Sequence, residues 1–341
     1  MKVFADFFRQ FFVIAGAVMG AGFLSGGELT VFFGGKNVFC LLLAGAAFFI
    51  GFSYVRVEKN ALSAIAFSVA DFVFASAMLA GLDGIASLAG VPDSFPVASL
   101  SALAVFHFFL SGDIKKTEKA NCVLIPLAVI TVFFAAVTAQ SPVPAKAYAG
   151  TGAKGVINAL LYACMNIFVA LPSVNMAKVG KKTGATIAAA AAFSAVFAAF
   201  AFLILRVAPN TAFPLLDVSR GTVFYPFTVG AIFVGAFTSL ICCMYPLKKT
   251  VCERVKNKKA RIAGCFLLYA GAFFFSRAGF TRIIKYLYPV VGGLGLLTIV
   301  KSFIGIKKRG KGDTKIKRSA LCREEKNPKS KNSPKKNTAI I

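Results

Sequence analysis

The chain holds no tryptophan, one histidine, and only 13 acidic residues against 39 Lys and Arg. Its eight cysteines are Cys40, Cys122, Cys164, Cys242, Cys243, Cys252, Cys265 and Cys322, and none belongs to a CxxC or Cys/His pattern. They read as small apolar fillers and free thiols, so no transition-metal site or other cofactor is expected. The single His107 reads as a satisfied or interfacial side chain. No Walker motif, GxSxG, HExxH or kinase set is present, which leaves ATP-driven transport by this chain alone unsupported. A membrane enzyme would lack both a catalytic pair and a metal set, and a channel would lack a repeated filter sequence. No RNA-binding or helix-turn-helix signature accompanies the basic excess, so nucleic acid is not an expected partner.

What the chain does have is apolar length. Of 341 residues, 57% are hydrophobic and the mean hydropathy is +0.75, well above a soluble domain. The expected class is an all-α polytopic membrane protein with the lipid bilayer as its surroundings. A spanning helix needs about 20 mainly apolar residues, and ten stretches are candidates: 7–33, 38–55, 61–90, 96–111, 120–139, 153–175, 184–206, 223–246, 261–276 and 279–304. The first is too long and too glycine-broken for a cleaved signal peptide. With the N-terminus in the cytoplasm, seventeen basic residues fall in inside segments and eight outside, and fourteen more follow from Lys301. That asymmetry favours both termini inside. The tail, 305–341, is rich in Lys, Asn, Ser and Pro and reads as disordered, with a loose attraction to anionic lipid. The transmembrane part is then 1–304, dividing as five spans plus five, about 7–139 and 153–304.

Chemistry is expected where apolar spans accept costly residues. The first span carries Gly16, Gly20, Gly22, Gly26 and Gly27, with Ser25 and Glu28 at membrane depth. Glycine in a helix interior costs roughly 1 kcal/mol, and a carboxylate near the bilayer centre at least a few kcal/mol. A broken helix forming half of a substrate and ion site is the reading, with Glu28 either capping the second half-helix or gating. At the corresponding place in the second half, Asn166 and Pro172 are expected to interrupt the sixth span. In the third span, Asp71 and Asp83 are too far apart for a dyad. Each is either a cation, amine or proton site or a carboxylate hydrated or paired at an interface, and Asp71, toward the inner end, leans to the second. In the eighth span, Thr238 and Ser239 either back-bond or bridge helices, or offer hydroxyls to a hard cation. Pro289 with Gly292, Gly293 and Gly295 predicts a kink and a close helix contact in the last span.

Gly20-Ala21-Gly22-Phe23-Leu24-Ser25-Gly26-Gly27-Glu28, followed by Phe32-Phe33, resembles the GAGFASGxE…FF signature of YkvI-type bacterial membrane proteins. Met78 to Gly81, Asn121 with Pro126, Tyr162 with Asn166, Thr238-Ser239, and Tyr288-Pro289 with Gly292 and Gly295 agree in order. That family is similar to the amino acid–polyamine–organocation superfamily. The resemblance implies the leucine-transporter-type fold, two inverted five-helix repeats with helices 1 and 6 broken, in a bacterial plasma membrane, and it implies that Met19 to Phe23 are unwound. It implies an ion, Na⁺ where one is used, held by Gly16, Met19, Gly235, Thr238 and Ser239. The substrate would lie against Gly20, Gly22, Phe23 and Ser25, with Asn166 at the sixth-span break. Phe23 stands where many sodium-coupled relatives carry Asn, and Gly27 replaces the commoner Gln. The resemblance supplies no substrate; the function expected is secondary transport of an amino acid or related amine-bearing solute by alternating access, coupled to Na⁺ or H⁺. The alternative is a permease-like sensor or receptor subunit that does not transport.

Overall fold

Backbone groups in long apolar stretches have no water to bond, so each N–H and C=O must be satisfied inside a helix. This computed structural model describes residues 2–33, 38–55, 61–92, 96–110, 114–139, 152–176, 183–207 and 211–302, and among them there are helices and no strand. The expected basic tail and Cys322 lie outside the described residues. Residues 1–299 form one unit and 300–341 a second.

The first expected span is three helices: α1 (Lys2–Val18), α2 (Ala21–Ser25) and α3 (Gly27–Phe33). There follow α4 (Val38–Tyr54), α5 (Ala61–Leu88) and α6 (Val97–Val105), which runs on into a π-helical turn, Phe106–Leu110. Next come α7 (Ile114–Thr138), α8 (Ala153–Met176), α9 (Thr183–Val207), the short α10 (Pro214–Ser219), α11 (Tyr225–Arg254) and α12 (Lys258–Ser276). The last, α13, is the span Phe280–Ser302, with a π-helical turn at Ile283–Leu287.

Seven helices are individually long and apolar enough to cross a membrane: those within α5, α7, α8, α9, α11, α12 and α13. The protein is therefore an all-helical, multi-pass membrane protein. The other three expected spans fall short for separate reasons. The first is divided by its break, α4 has 17 residues, and the apolar stretch at α6 covers only Val97–Phe108.

Burial sorts the helices into a centre and a belt. About two thirds or more of the apolar window is covered in α5, α8 and α11, but only 17% in α12 and a third in α7, α9 and α13. Phe266, Leu267 and Phe274 of α12, Val123 of α7 and Leu297 of α13 all point outward. Exposed apolar surface on that scale suits contact with lipid. Inside the belt, α1 packs on α9, α7 and α8, α4 packs on α9 and α8, and α11 lies against α5 and α7.

Two expectations are corrected. The sixth expected span does not break: α8 is continuous through Asn166 and Pro172. Asn166 satisfies itself locally, its Nδ2 donating to Tyr162 O one turn back at 3.0 Å, and a proline in a buried membrane helix is tolerated where neighbours cover the freed carbonyl. The first span is also unwound over less than Met19 to Phe23, because Phe23 is already helical in α2.

The small residues of α13 do give close contact. A methyl group on Gly292 would lie 2.6 Å from Leu161 O, and one on Gly295 would meet the Cys164 carbonyl and, at 3.0 Å, Phe168 Cβ. Gly293, on the other side, has nothing within 4 Å. Gly292→Leu should therefore lower stability by about 1–3 kcal/mol through overpacking against α8, while Gly293→Ala should leave it unchanged or raise it by about 0.5–1 kcal/mol. Thermal unfolding of the detergent-purified variants checks both.

Candidate functional site

The break begins where α1 runs out. Met19 N still donates to Ala15 O at 2.7 Å, but Gly20 N turns to Val18 O at 2.9 Å, and Gly20 is extended (φ −80, ψ −169). Among the described residues, Gly16 O and Met19 O consequently receive no backbone N–H. One turn of helix, α2, follows and is stopped by Gly26 in the left-handed region at φ 85. A side chain there would be strained and would also strike Ile204 Cγ2 at 2.6 Å. Ser25 Oγ accepts from Gly27 N at 3.3 Å, capping α3.

The freed carbonyls face α11. Ser239 Oγ donates to Gly16 O at 2.8 Å across the bundle, while Thr238 Oγ1 donates back to Gly235 O at 3.0 Å. A methyl on Gly235 would stand 3.0 Å from Met19 O. The two hydroxyls thus divide the readings left open above, one back-bonding and one bridging helices. At this crossing Ser239 Oγ meets Gly16 O, Met19 O lies beside Gly235, and Thr238 Oγ1 stays on Gly235 O, so the polar atoms that these five residues offer are carbonyl and hydroxyl oxygens. Such an uncharged, oxygen-only set fits a hard monovalent cation, whereas Mg²⁺ and Ca²⁺ sites draw on carboxylates. Gly20 adds to the same place from α5, since a methyl on it would lie 2.8 Å from Met78 Sδ and 2.9 Å from Ser239 Oγ.

Below this level the polar run continues. A methyl on Gly16 would collide with the Asn121 amide of α7, whose Nδ2 donates to Cys242 Sγ at 3.4 Å. Ser173 Oγ of α8 donates to Cys242 O at 2.6 Å. Asp71 is 1% exposed, and its Oδ1 has no hydrogen-bond partner among the described residues. The expected hydrated or paired interfacial carboxylate is therefore not what α5 presents. Asp71, Phe74 and Met78 are spaced i, i+3, i+7 and share the buried face, a stripe that was readable before the fold was known.

Glu28 sits in the first turn of α3 but does not cap it. Its carboxyl folds back over the α-carbon of Gly22, where any side chain would clash, and Tyr162 Oη donates to Oε2 at 3.4 Å. It is 2% exposed. The Tyr162 ring lies within 5.2–6.2 Å, between centroids, of Phe32, Phe33, Phe48 and Phe197. Phe23 joins this cluster 5.6 Å from Phe197. Substrate contacts were expected from Gly20, Gly22, Phe23, Ser25 and Asn166. Gly22 is covered by Glu28, Ser25 serves as a cap, Phe23 faces α9, and Asn166 bonds its own helix through Nδ2, its Oδ1 having no partner among the described residues.

Asp83 pairs as one of its two readings had it. Its Oδ1 accepts from Ser99 N at 2.9 Å, and Oδ2 lies 3.6 Å from Arg277 Nη1. His107 Nδ1 is 3.4 Å from Tyr269 Oη. Tyr162, Asn121 and Met78 entered the sequence reading only through the family resemblance, and Ser173 and Cys242 carried no functional reading there. Ser173 beside Pro172 was the one local signal of a polar group set against a freed backbone.

No protein-family model matches the chain, and no curated protein matches it.

The Glu28–Tyr162 contact is testable by itself. Tyr162→Phe should cost about 1 kcal/mol, and the same change in a Glu28→Gln background should cost less, because the donor then loses only a weaker acceptor. A double-mutant cycle by thermal unfolding reads the coupling.

Proposed function

We propose that the protein is a secondary transporter that moves an amino acid or a related amine-bearing solute by alternating access, with Na⁺ or H⁺ as the driving ion. The observation that carries this reading is the convergence of Gly16 and Met19, at a break in a buried helix, on Gly235, Thr238 and Ser239 of α11. Freed backbone at membrane depth costs several kcal/mol per unsatisfied group. A chain keeps such a break where the exposed carbonyls do something that an intact helix cannot. These five residues would hold the cation, which would supply a positive charge to close the carbonyls together. Glu28 offers a carboxyl beside the break, set against Tyr162 and aromatic rings. An acid lined by aromatic faces suits an amine, and the same carboxyl could carry a proton.

The helix pairing supports a two-repeat arrangement. Dividing the chain into two sets of five makes α4 and α9 counterparts, and likewise α5 and α11. Each packs against its counterpart, and α1 on α9 is matched by α8 on α4. We place this chain among the YkvI-like members of the amino acid–polyamine–organocation superfamily on the strength of its first-span motif, and with it the bacterial plasma membrane and cytoplasmic termini favoured by the loop charges. The intact α8 departs from that pattern, so the reading asks for movement about one broken helix.

Uptake of a panel of labelled amino acids and amines into proteoliposomes, under an imposed Na⁺ gradient and separately a proton gradient, tests the proposal. One or more solutes should accumulate above protein-free vesicles, and Ser239→Ala should weaken cation activation about tenfold, equal to about 1.4 kcal/mol. Flux at background for the whole panel under both gradients overturns it.

A further inference from the structure

Three residues, 255–257, separate α11 from α12. Asn257 starts α12 by accepting from Lys259 N at 2.9 Å and from Ala260 N at 3.4 Å. So short a connection folds the last turns of α11 back along the first turns of α12. A methyl on Gly264 would lie 3.1 Å from Val251 Cγ1. The two helices therefore approach closely one residue before Cys252 on α11 and one residue before Cys265 on α12.

Two side-chain stripes meet at this approach. Lys248 and Cys252 are spaced i, i+4 on α11, and Arg261, Cys265 and Tyr269 are spaced i, i+4, i+8 on α12. The Cys252 and Cys265 thiols are hydrogen-bonded to each other, and Lys248 and Arg261 both stand close enough to act on the Cys265 thiol. Tyr269 is in reach of both sulfurs. Both cysteines are free thiols, Cys252 half-buried and Cys265 6% exposed. The other thiols of α11, Cys242 and Cys243, lie at least nine residues before Cys252. That is roughly 13 Å along the axis, out of disulfide reach.

Pro246 defines what a bond between the two helices would fix. It lies inside α11 and has no N–H to give to Cys242 O. Ser173 Oγ of α8 donates to that carbonyl instead, at 2.6 Å. The end of α11 that carries Cys252 is thus joined to the rest of the helix across a missing rung, where helices bend.

A more exposed thiol beside a resolving thiol is the arrangement of a reversible oxidation site. The Cys252 sulfur attacks the O–O bond of a peroxide, becoming a sulfenic acid and releasing one water. The Cys265 sulfur then attacks the Cys252 sulfur; the S–O bond breaks, the S–S bond forms and a second water leaves with the thiol proton. The two thiols lose two electrons and two protons, and the peroxide takes up both. Two low-molecular-weight thiols reopen the bond by exchange and leave as their own disulfide.

We propose that Cys252 and Cys265 form a reversible oxidation site, at which a peroxide closes the pair into a disulfide that fastens the end of α11, beyond Pro246, to the start of α12. This site does not rest on the transport reading. To test it, the full-length protein is purified in detergent under reductant, freed of reductant, treated with hydrogen peroxide, blocked with N-ethylmaleimide and digested for mass spectrometry. The main oxidation product should be a peptide pair joined from Cys252 to Cys265 and released by dithiothreitol. Cys265→Ser leaves the sulfenic acid unresolved, so dimedone labelling of Cys252 should rise at least tenfold over the parent protein. Cys252→Ser should leave Cys265 reduced at the peroxide concentration that bridges half of the parent protein. Phenylarsine oxide, which binds two adjacent thiols at once, should protect both from N-ethylmaleimide in the unsubstituted chain, a measurement that needs no variant. The proposal is overturned by the absence of a Cys252–Cys265 bond, by a bond from either residue to another cysteine as the main product, by dimedone labelling that Cys265→Ser leaves unchanged, or by an arsenical that protects neither thiol.

Discussion

A peptide carbonyl released from its helix inside a membrane has no water to accept from, so some other part of the chain must supply the donor. The hydrogen bond from Ser239 Oγ to Gly16 O is that supply, and much of the bundle is arranged to permit it. It needs a hydroxyl on α11 at the level where α1 ends. It needs Gly20 to have no side chain, so that Met78 and Ser239 can close over the break. It also needs α5, α8 and α11 to be the covered helices, because a break facing lipid would leave its other groups unpaired. The distribution of burial follows: the three helices around the break are the most covered, and α12 is the least.

The same constraint accounts for the local chemistry of α2. It is one turn long, starts from an extended glycine and ends on a left-handed one. A helix this short has no cooperative stability of its own; it persists because Leu24, Phe23 and Ala21 are fully buried and because Ser25 spans its C-terminal side to α3. Glu28 then lies back over Gly22 rather than reaching into the bundle alone, and the Tyr162 hydroxyl donates to it. Burying a carboxyl with so little compensation is costly. In a chain with only 13 acidic residues, a cost accepted at this depth argues for use rather than packing.

Much of this was readable before any coordinates. A glycine-punctuated apolar span with a serine and a glutamate marked the break, because glycine cost and charge cost fall in one stretch. Thr238 and Ser239 were legible as helix-facing hydroxyls, although their division of labour was not, since back-bonding and bridging use the same residues. Asn166 and Pro172 misled for a physical reason: both weaken a helix by propensity, but an asparagine can return its amide to its own carbonyl ladder, and α8, packed against α4 and α1, stays continuous. Asp71 was read as hydrated or paired because its position along α5 was weighed and its buried stripe with Phe74 and Met78 was not. Tyr162 could not be assigned to Glu28 at all, because the contact joins residues 134 apart in sequence and no periodicity carries that information.

The unequal fates of the two central helices bear on how the molecule can move. The helix α8 runs unbroken through Pro172, with α13 seated closely on its Leu161 and Cys164 carbonyls. In α1–α3 two backbone joints lie within a few residues, at Gly20 and Gly26. Ser239 holds the carbonyl of Gly16 on one side of α2, and Tyr162 holds Glu28 beside Gly22 on the other. Gly16 lies in α1 and Glu28 in α3, so the two contacts pin the chain before and after the joints and leave the single turn of α2 between them. Movement of α1 and α3 relative to each other would be absorbed at Gly20 and Gly26, the positions where the helical ladder is already interrupted.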